Sequence, residues 1–531
     1  MAKTITTDEL ARHNKETDCW IAVRGRVMDI TRFLDIHPGG KRILLTVAGK
    51  DATVEFERHH EANIVLAKYA DKFTVGFLPG ASAATSGWAS TVGVHYGRQG
   101  YGDPVAFADP AWYQDWHSPY YNDSHRRLRE WAREIVERDL VPFINDWEKA
   151  GKVPADLYKR LGDVGLLPCF TGAKNWPSKW TKHTPPCGIK PDEWDIFHEL
   201  VIGDEFARKA SSGVGAAITL GPSIALPPIM HFGNEYLQNL VIADVLAGKK
   251  TIALAITEPY AGSDVANIQT TAVPTPDGEA YIINGEKKWI TNGVWADYFV
   301  VAARTGSKGM SGITLFLAER SKGGIETRPV SCQGSVGSGT AFVIMENVRV
   351  PKTHIIGELN KGFKAIMNNF NHERLGICIG SIRQARVCYE VAMKYGKSSH
   401  RRRTFGEKLF SHGVIRNKLA HMARQIEASQ AWLESIVYQL SIMPPEEAML
   451  RIGGPIALLK AQSTITLDYC AREATQILGG VGYTKGGIGE KVERIYRDVR
   501  GAAIPGGSEE IMLDLGIRQA VKISQLSGAK L

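Results

Sequence analysis

Two histidines near the start of the chain have the surroundings that metal ligation needs. His37 begins HPGG, in which a proline and two glycines form a tight turn that presents the imidazole from a rigid loop. His60 follows the helical segment ATVEFERHH, with enough chain between the two histidines to return across a small pocket. Two neutral imidazoles facing each other are what bis-histidine haem ligation requires. Taken alone, the pair is also consistent with a turn histidine and a solvated pair at a helix end.

Two segments in the middle of the chain have the side chains to hold a flat polar cofactor. The segment ITEPYAGSDV, residues 256–265, carries hydroxyls and backbone amides in a glycine-containing turn, which suits a polar ring edge or a phosphate. In WITNG, Trp289 and Thr291 are two residues apart, so on a strand the aromatic face and the hydroxyl lie on the same side. A tryptophan in a strand is often a core residue, and this alternative stays open. The glycines of GSVGSG, residues 334–339, do not indicate a dinucleotide fold, because no helical pattern follows them.

The overall composition is that of an ordinary globular protein. The chain has 531 residues, of which 44% are hydrophobic and 23% charged, and its formal net charge is +8. This length predicts at least two domains, and the composition excludes wholesale disorder and coiled coil. The seven cysteines are scattered and form no C-x-x-C pair, which argues against a disulfide scaffold and a zinc site. Because there is no Lys/Arg tract interleaved with aromatics, we expect no nucleic-acid partner.

The sequence also carries expectations about location. We expect no secretory signal, because MAKTITTDELARHNKETD contains no apolar segment. We expect no membrane span, because the most apolar stretch, residues 216–230, is short and interrupted by three prolines. The tripeptide Ala529-Lys530-Leu531 resembles the S-K-L type of peroxisomal address with alanine for serine. The prediction is therefore a peroxisomal protein, with a mitochondrial or cytoplasmic location as the alternative.

The elements that must position these residues fall into four parts. The segment LPGASAATSGWAST, residues 78–91, is typical of a flexible linker. Helical periodicity runs from residue 122 to 248, short β-rich segments run from 250 to 351, and long amphipathic patterns return after residue 362. We therefore predict domains at residues 1–78, 118–249, 250–355 and 356–531, with a linker at 79–117.

The first of these parts resembles the cytochrome b5 family over nearly its whole length. The similarity includes the C-W pair at residues 19–20, residues 27–33, the HPGG motif and G-K-D-A-T at residues 49–53. The F-E-x-x-H spacing that ends at His60 is similar to the variant in flavocytochrome b2. The resemblance implies a small α+β domain that binds haem b, with His37 and His60 as the axial ligands of the iron. His59 stays an alternative to His60.

Residues from about 122 to about 519 resemble the acyl-CoA dehydrogenase family, with matching motifs in the family's order along the chain. These motifs are TEPxAGSD, EKKWITNG, VRVP, RRTFG, QILGGVGY and ERIYRDVR. The resemblance implies a multidomain chain with an N-terminal α-helical domain, a central antiparallel β domain and a C-terminal α-helical bundle, binding FAD and an acyl-CoA. The implied FAD contacts are Ile256, Thr257, Ser263, Trp289, Thr291, Arg402, Thr404, Phe405, Gln476, Gly479, Gly480 and Ser508. Those from residue 402 to 480 match positions that hold FAD from a neighbouring subunit, which implies a homodimer or homotetramer.

The catalytic base is expected on a helix. Dehydrogenation between the α and β carbons needs a carboxylate that removes the α-proton. In much of the family this is the glutamate of Y-E-G-T, but the matching residues here are P-G-G-S and the glutamate position is Gly506. Isovaleryl-CoA and long-chain members carry the glutamate on the long helix after the β domain, where this chain has Glu373. The resemblance therefore implies Glu373 as the base, and a surface glutamate on an amphipathic helix is the alternative.

The resemblance also implies four substrate contacts. These are Ser263, Asn371, Arg374 and Gly506, and the last would polarise the thioester carbonyl through its backbone N–H. Glu509 and Glu510 match the start of the last helix, where acidic residues favour the helix dipole, so we expect them to be structural.

Together the two resemblances imply a haem-containing, FAD-dependent acyl-CoA dehydrogenase that suits fatty-acid β-oxidation. A two-electron flavin beside a one-electron haem suggests stepwise transfer within the chain to an unidentified acceptor. One alternative is an oxidase of the same fold that passes electrons to oxygen. A second is a non-catalytic haem or flavin electron carrier, which the glycine at position 506 suggests.

Overall fold

The N-terminal domain is a small sheet covered by short helices. The computed structural model describes residues 3–60, 62–81, 105–114, 116–172, 176–398 and 403–526. The four strands of this domain pair antiparallel in the order β1-β2-β3-β4. Its elements are α1 (Thr7–Arg12), β1 (Asn14–Lys15), β2 (Asp18–Val23), β3 (Arg26–Asp29), α2 (Lys41–Thr46), α3 (Thr53–His59), α4 (Ala62–Phe73) and β4 (Thr74–Phe77). His37 directly follows a short 3-10 helix, Thr31–Ile36, and His60 directly follows α3.

The predicted linker falls largely on residues 82–104, which lie outside the described residues. The segment after them is already part of a packed core, because Trp112 and Tyr113 are buried against the C-terminal helices. Asp109 in the same segment accepts hydrogen bonds from Arg133 and Arg383, at 3.1 and 2.6 Å. These guanidinium groups hold the pKa of Asp109 well below its usual range despite burial. The packed chain therefore begins before the predicted boundary at residue 118.

The second part is helical, as predicted. Its helices are α5 (Asp123–Ile135), α6 (Ile144–Ala150), α7 (Ala155–Asp163), α8 (Ile196–Ala207), α9 (Ser212–Leu220), α10 (Pro227–Phe232) and α11 (Glu235–Leu246). Asn122 and Asp195 cap α5 and α8, each reciprocally with the histidine three residues later, His125 or His198. The possible metal-ligand atoms of Asp195 and the two histidines lie within 4.8 Å of one another. The ring nitrogens already bond to the caps and to Ser124, so this group fixes two helix starts.

One described helical run, Ser212–Phe232, is long and apolar enough by length and composition to cross a bilayer. As expected, the prolines coincide with a break in the regular α-helix, since α9 ends at Leu220 and α10 begins at Pro227. A π-helical turn at Gly221–Ala225 accommodates Pro222, and Pro227 and Pro228 occupy the first turn of α10, where the missing N–H costs no hydrogen bond. Since 67% of its most apolar window is buried inside the protein, the run is weak evidence for a membrane span.

The third part is an eight-stranded sheet. Its strands are β5 (Ile252–Ala255), β6 (Thr271–Pro274), β7 (Ala280–Ile290), β8 (Tyr298–Arg304), β9 (Ile313–Glu319), β10 (Ile325–Pro329), β11 (Ala341–Pro351) and β12 (Ile355–Ile356). The order is β10-β11-β7-β6-β8-β9-β12, with β5 beside β8. Antiparallel pairs dominate, as predicted. The exceptions are β5 and β6, which both run parallel to β8. Between β6 and β8 in the sequence, the chain passes through β7, which runs antiparallel to β6. Residues 334–339 lead directly into β11 without a helix, so the absence of a dinucleotide fold there is confirmed.

The last part is a helical bundle with one short hairpin. Its elements are α12 (Gly362–Lys397), β13 (Arg403–Thr404), β14 (Glu407–Lys408), α13 (Gly413–Ile442), α14 (Pro445–Arg451), α15 (Gly453–Leu478), α16 (Gly480–Tyr483), α17 (Glu490–Ala503) and α18 (Glu509–Leu526). Buried apolar side chains of α12, α13, α15 and α17 form one core. This core places Glu373 of α12 beside the loop of residues 504–508, which joins α17 to α18 and which we call the base loop.

Candidate active site and haem site

The N-terminal domain brings His37 and His60 together. Their ring centroids are 6.0 Å apart. His60 Nδ1 lies 3.0 Å from the carbonyl oxygen of Phe56, and His37 Nδ1 lies 3.3 Å from that of Gly40. These contacts leave the Nε2 atom of each ring available to a metal, whereas His59 is exposed at the end of α3. The pair that the structure brings together is therefore His37 with His60.

The pocket at these two rings fits haem. With a metal–nitrogen bond of about 2 Å on each side, two imidazoles that share one iron place their centroids roughly 6 Å apart. Burial lowers the pKa of His60, which favours the neutral imidazole that ligates iron. Phe33 packs near His37 and Phe56 stacks on His60, so the surroundings are apolar and aromatic.

The flavin-contacting segments predicted from the sequence lie next to each other. The segment of residues 256–258 that follows β5, which we call the flavin loop, is joined to the end of β7 because Lys288 donates its backbone N–H to the Thr257 carbonyl at 2.9 Å. Ile256 is buried, Thr257 is half-buried, and Ser263 is exposed on the turn that follows. This arrangement places the two motifs along one edge, as a shared flat ligand requires.

Trp289 is not a core residue. It is 50% exposed, with its indole open to whatever binds beside β7. The expectation that Trp289 and Thr291 share one strand face is wrong, because the pairing of β7 with β11 is irregular here and the strand ends at Ile290. Trp289 also has a positive φ of 58°, which turns the indole out of the regular strand alternation. An exposed indole beside the flavin loop fits one face of FAD.

The residues predicted to hold the adenosine end of FAD lie on the surface of the C-terminal bundle. Phe405 is 95% exposed, and Gln476 and Gly480 are exposed near the start of α16. The Thr404 hydroxyl is buried but has no hydrogen-bond partner within the described part of the chain. Arg402 lies outside the described residues. A buried Thr404 hydroxyl without a partner among the described residues, next to the exposed ring of Phe405, fits a surface that a ligand or a second subunit covers.

Glu373 lies next to the side-chain position that Gly506 lacks. A side-chain Cβ built on Gly506 would lie 3.9 Å from Glu373 Oε1. Burial raises the pKa of the Glu373 carboxyl, and the nearby charges of Arg374, His372 and Lys460 oppose that rise. The carboxylate makes no hydrogen bond or salt bridge to any described residue. Glu373 is therefore a half-buried carboxylate without a bonded partner in the described part of the chain, and a fully solvated helix face does not describe it.

The other predicted substrate contacts on α12 lie around Gly506 and Glu373. Arg374 donates Nε–H to the Gly506 carbonyl at 2.9 Å and Nη1–H to Asn371 Oδ1 at 3.3 Å. Ser508 lies at the start of α18, and Glu509 and Glu510 occupy the first turn of that helix, as expected of structural residues there. Asn371, Glu373, Arg374 and Gly506 therefore form one cluster, separate in the sequence from the flavin loop.

Sequence reasoning missed three buried charges at these loops. Lys287 donates to the Ile256 carbonyl at 2.9 Å and to Glu258 Oε1 at 2.8 Å. Lys460 donates to the carbonyls of Ala503 and Gly507, at 2.5 and 2.7 Å. For Lys460 the signal in the sequence is a lysine inside the apolar stretch GPIALLKAQ, whereas GEKKWI, which carries Lys287, is largely charged and gives no such signal.

Comparison with protein families agrees with this division of the chain. The models of the acyl-CoA dehydrogenase N-terminal, middle and C-terminal domains match residues 122–174, 253–348 and 360–521. The model of the cytochrome b5-like Heme/Steroid binding domain matches residues 6–79. Acyl-CoA dehydrogenase apdG of Emericella nidulans is 41% identical over 432 residues, which are 80% of this chain and 98% of that protein. The chain belongs to the acyl-CoA dehydrogenase family.

Further acyl-CoA dehydrogenases are similar in sequence and in structure. Acyl-CoA dehydrogenase AFT10-1 of Alternaria alternata is 39% identical over 428 residues, covering 80% of this chain and 97% of that one. The crystal structure of a probable acyl CoA dehydrogenase from Mycobacterium abscessus matches with a TM-score of 0.68 and 32% identity, covering 76% of this chain and all of that one.

Membership in the acyl-CoA dehydrogenase family makes the chain an oxidoreductase of the flavin-dependent dehydrogenating type. The acyl-CoA dehydrogenase fold binds FAD, and the cytochrome b5-like domain binds haem, so both predicted cofactors are confirmed. The tripeptide Ala529-Lys530-Leu531 lies outside the described residues, and the peroxisomal location stays a prediction.

Proposed function

We propose that this chain catalyses the α,β-dehydrogenation of an acyl-CoA thioester to the trans-2-enoyl-CoA, with Glu373 as the base. The observation that carries the proposal is that Glu373 Oε1 lies 3.9 Å from the Cβ position that Gly506 lacks. A carboxylate whose pKa is raised by burial, without a bonded partner in the described part of the chain, suits the removal of a weakly acidic proton.

In the cluster around Gly506, three residues have different roles in the proposed reaction. Glu373 takes the proton from the α carbon, and the Gly506 N–H donates to the thioester oxygen as negative charge develops there. Arg374 fixes the direction of that N–H, because it holds the Gly506 carbonyl. When bound, FAD supplies the acceptor for the hydride that leaves the β carbon, and haem supplies a one-electron acceptor. Loss of one proton and one hydride leaves the carbon–carbon double bond.

Anaerobic mixing of the holoprotein with a panel of saturated CoA thioesters of different length and branching tests the function. We expect the FAD band to bleach with at least one thioester and the enoyl-CoA to form in equal amount. Rapid peroxide release on admitting air would favour the oxidase alternative instead. An unchanged flavin spectrum with every thioester would favour the non-catalytic carrier. Free CoA, which has no acyl protons, is the matched control.

We further propose that electrons pass from the flavin site to the haem domain of the same chain. The support is direct contact between the two parts of the chain. Lys68 of α4 forms an ion pair with Asp146 of α6, and a Cβ built on Gly487 would lie 3.6 Å from the His59 carbonyl oxygen. The haem-ligand end of the domain thus lies against the loop before α17.

The test of the relay is to watch both absorbance bands after mixing with an active thioester. We expect the flavin to bleach first and the haem band to follow. In a His60→Ala variant the flavin should still bleach while the axial-ligand signature of the haem is lost. Haem that stays oxidised in the native protein, under conditions where FAD bleaches, would contradict the relay.

The oligomer is proposed from the exposed residues at the adenosine end. Phe405 at 95% exposure and Tyr483 at 86% are large aromatic side chains that soluble proteins usually cover. We expect a homodimer or homotetramer by mass measurement, and a loss of FAD on dissociation because each subunit would complete its neighbour's cofactor site. A stable FAD-loaded monomer would contradict this proposal.

A further inference from the structure

Lys460 is a buried cation behind the base loop. It lies on α15, and its side chain is 0% exposed. Its ammonium group donates to the carbonyls of Ala503, at the end of α17, and Gly507, just before α18. No carboxylate of the described residues lies within salt-bridge distance of it. Such a group is costly to bury, which calls for a role beyond packing.

Two cations from two different helices clamp the base loop. Arg374 of α12 holds the carbonyl of Gly506, and Lys460 holds the carbonyls on either side of it. Gly506 itself has a positive φ of 67°, and its N–H donates no hydrogen bond to any described residue. With its carbonyls fixed and its N–H unused, this peptide is preset to receive an acceptor at one point in space.

We propose that Lys460 is a positioning residue for the dehydrogenation: it orients the Gly506 N–H toward the thioester oxygen, and its charge favours the ionised form of Glu373. The inference rests on the roles proposed above for Gly506 and Glu373. It adds a residue that touches neither substrate nor cofactor and acts through the loop and through the field at the base.

The electrostatic part follows from the groups that face these two side chains. Glu373 is faced by Arg374, His372 and Lys460, and all three favour its charged form against burial. Lys460 is faced in turn by Cys378 of α12, by Glu509 of α18 and by Glu373 itself. Because Lys460 is not paired with any one carboxylate, its field reaches the base. Loss of the ammonium group should therefore make Glu373 harder to ionise.

The test is Lys460→Met, which keeps the length of the side chain and removes its charge and donors. We expect kcat for flavin bleaching to fall about 10- to 100-fold with little change in KM, since a donor aimed at the transition state is displaced. The pH profile of kcat should shift upward by about one unit, because the base loses a favourable charge. A wild-type kcat and pH profile would overturn the proposal.

The matched control is Lys209→Met. Lys209 is another buried lysine, 3% exposed, with its own carbonyl acceptor on Phe206 at 2.7 Å and with its pKa lowered by burial to about 7. It lies between α8 and α9, outside the base loop. We expect Lys209→Met to lower the melting temperature without moving the pH profile. Equal shifts of the profile in both variants would show a merely structural effect and overturn the proposal.

Two further measurements keep the test decisive. If Lys460→Met does not fold, Lys460→Arg retains the charge and donors and should keep the wild-type pH profile even where kcat falls; a profile shifted as far as expected for methionine would overturn the proposal. The carbonyl stretching frequency of bound enoyl-CoA reports polarisation by Gly506 without turnover. Because polarisation lowers this frequency, it should rise in Lys460→Met and in Lys460→Met/Glu373→Gln alike. If Glu373→Gln alone bleaches FAD at the wild-type rate, the proposed function fails instead, while the stretch still reports on Lys460.

Discussion

The flavin loop and the base loop are each held by a buried lysine, but the lysine is paired with a carboxylate only in the flavin loop. A buried lysine donates to a backbone carbonyl in each, Lys287 to Ile256 and Lys460 to Ala503 and Gly507. In the flavin loop the lysine is paired with Glu258, whose carboxylate also accepts the backbone N–H groups of residues 269 and 270. In the base loop the described residues offer the lysine carbonyl groups alone. Burial lowers the pKa of both lysines to about 8.

The difference separates a structural role from an electrostatic one. A lysine and a glutamate that meet at 2.8 Å cancel most of each other's field beyond their contact, so Lys287 fixes a backbone without charging the flavin site. Lys460 has no such partner and charges its surroundings, which include Glu373. We therefore expect substitutions in the flavin loop to change cofactor retention and stability, and those around the base loop to change rate and pH dependence.

The largest expected effect is at the base itself. Glu373→Gln should lower the rate of flavin bleaching by about 10²- to 10⁴-fold, the usual contribution of a general base, with FAD retained. Because burial raises the pKa of Glu373, the native activity should fall as pH drops through a value above the ordinary glutamate range. Stopped-flow bleaching across pH measures both. Glu510→Gln, at the exposed start of α18, is the control, and a wild-type rate in Glu373→Gln would disprove the assignment.

The next largest effect is expected in the flavin loop, where the buried lysine is paired with a carboxylate. Glu258→Gln leaves the Lys287 ammonium buried without its carboxylate and should cost about 3–5 kcal/mol of the free energy of unfolding, with FAD released more easily. Chemical denaturation and the FAD-to-protein ratio measure the two consequences. Glu326→Gln removes one member of an exposed pair with Arg328 and should change little. If Glu258→Gln kept its FAD and stability but shifted the pH profile, the comparison between the loops would be reversed.

A smaller effect is expected from adding one carbon to the base loop. Gly506→Ala must adopt a φ of 67° and places its Cβ 2.9 Å from Ile377 Cδ1, so strain of about 1–2 kcal/mol should displace the N–H and slow bleaching by roughly tenfold. The matched control is Gly380→Ala on α12, where a Cβ meets nothing within 4 Å. Full activity in Gly506→Ala would show that the N–H direction is not critical.

The smallest effect concerns an ion pair on the surface. Lys68 and Asp146 join the haem domain to α6 with side chains that are 23% and 47% exposed, so the pair should contribute at most about 1 kcal/mol. Lys68→Ala should leave flavin bleaching unchanged and slow haem reduction, and added salt should slow the native protein in the same way. Lys72→Ala, which removes a neighbouring charge of the same helix, is the control. Equal rates of haem reduction in the native protein, Lys68→Ala and Lys72→Ala would show that this contact is not part of the electron path.

Much of this arrangement could be predicted from the sequence, because short motifs are local. The HPGG turn and the F-E-x-x-H spacing implied the histidine pair through the resemblance to cytochrome b5, and Gly506 with Glu373 implied a moved base through the resemblance to acyl-CoA dehydrogenases. What failed depends on strand register. The irregular pairing at Trp289 involves β11, a strand far along the chain whose register no spacing rule encodes.

The backbone contacts of Lys287 and Lys460 could not be predicted from the sequence for a related reason. In GPIALLKAQ, Lys460 stands in a helical core pattern, where a lysine usually extends its head to solvent. Only the packing of α15 against the end of α17 shows that this head reaches backbone carbonyls instead. His59 and His60 are a second case, since the choice between neighbours depends on where α3 ends.

The contacts that hold the base loop also set the order in which the protein can become active. The Arg374 bond to Gly506 spans 132 positions of the sequence, and the two Lys460 bonds span 43 and 47. Contacts of such separation form late in folding, since much chain entropy is lost before they are made. During synthesis the flavin loop and α12 emerge long before the base loop is available. A nascent chain therefore carries Glu373 before the base loop exists, and we expect the proposed site to be complete only when the last two helices have docked.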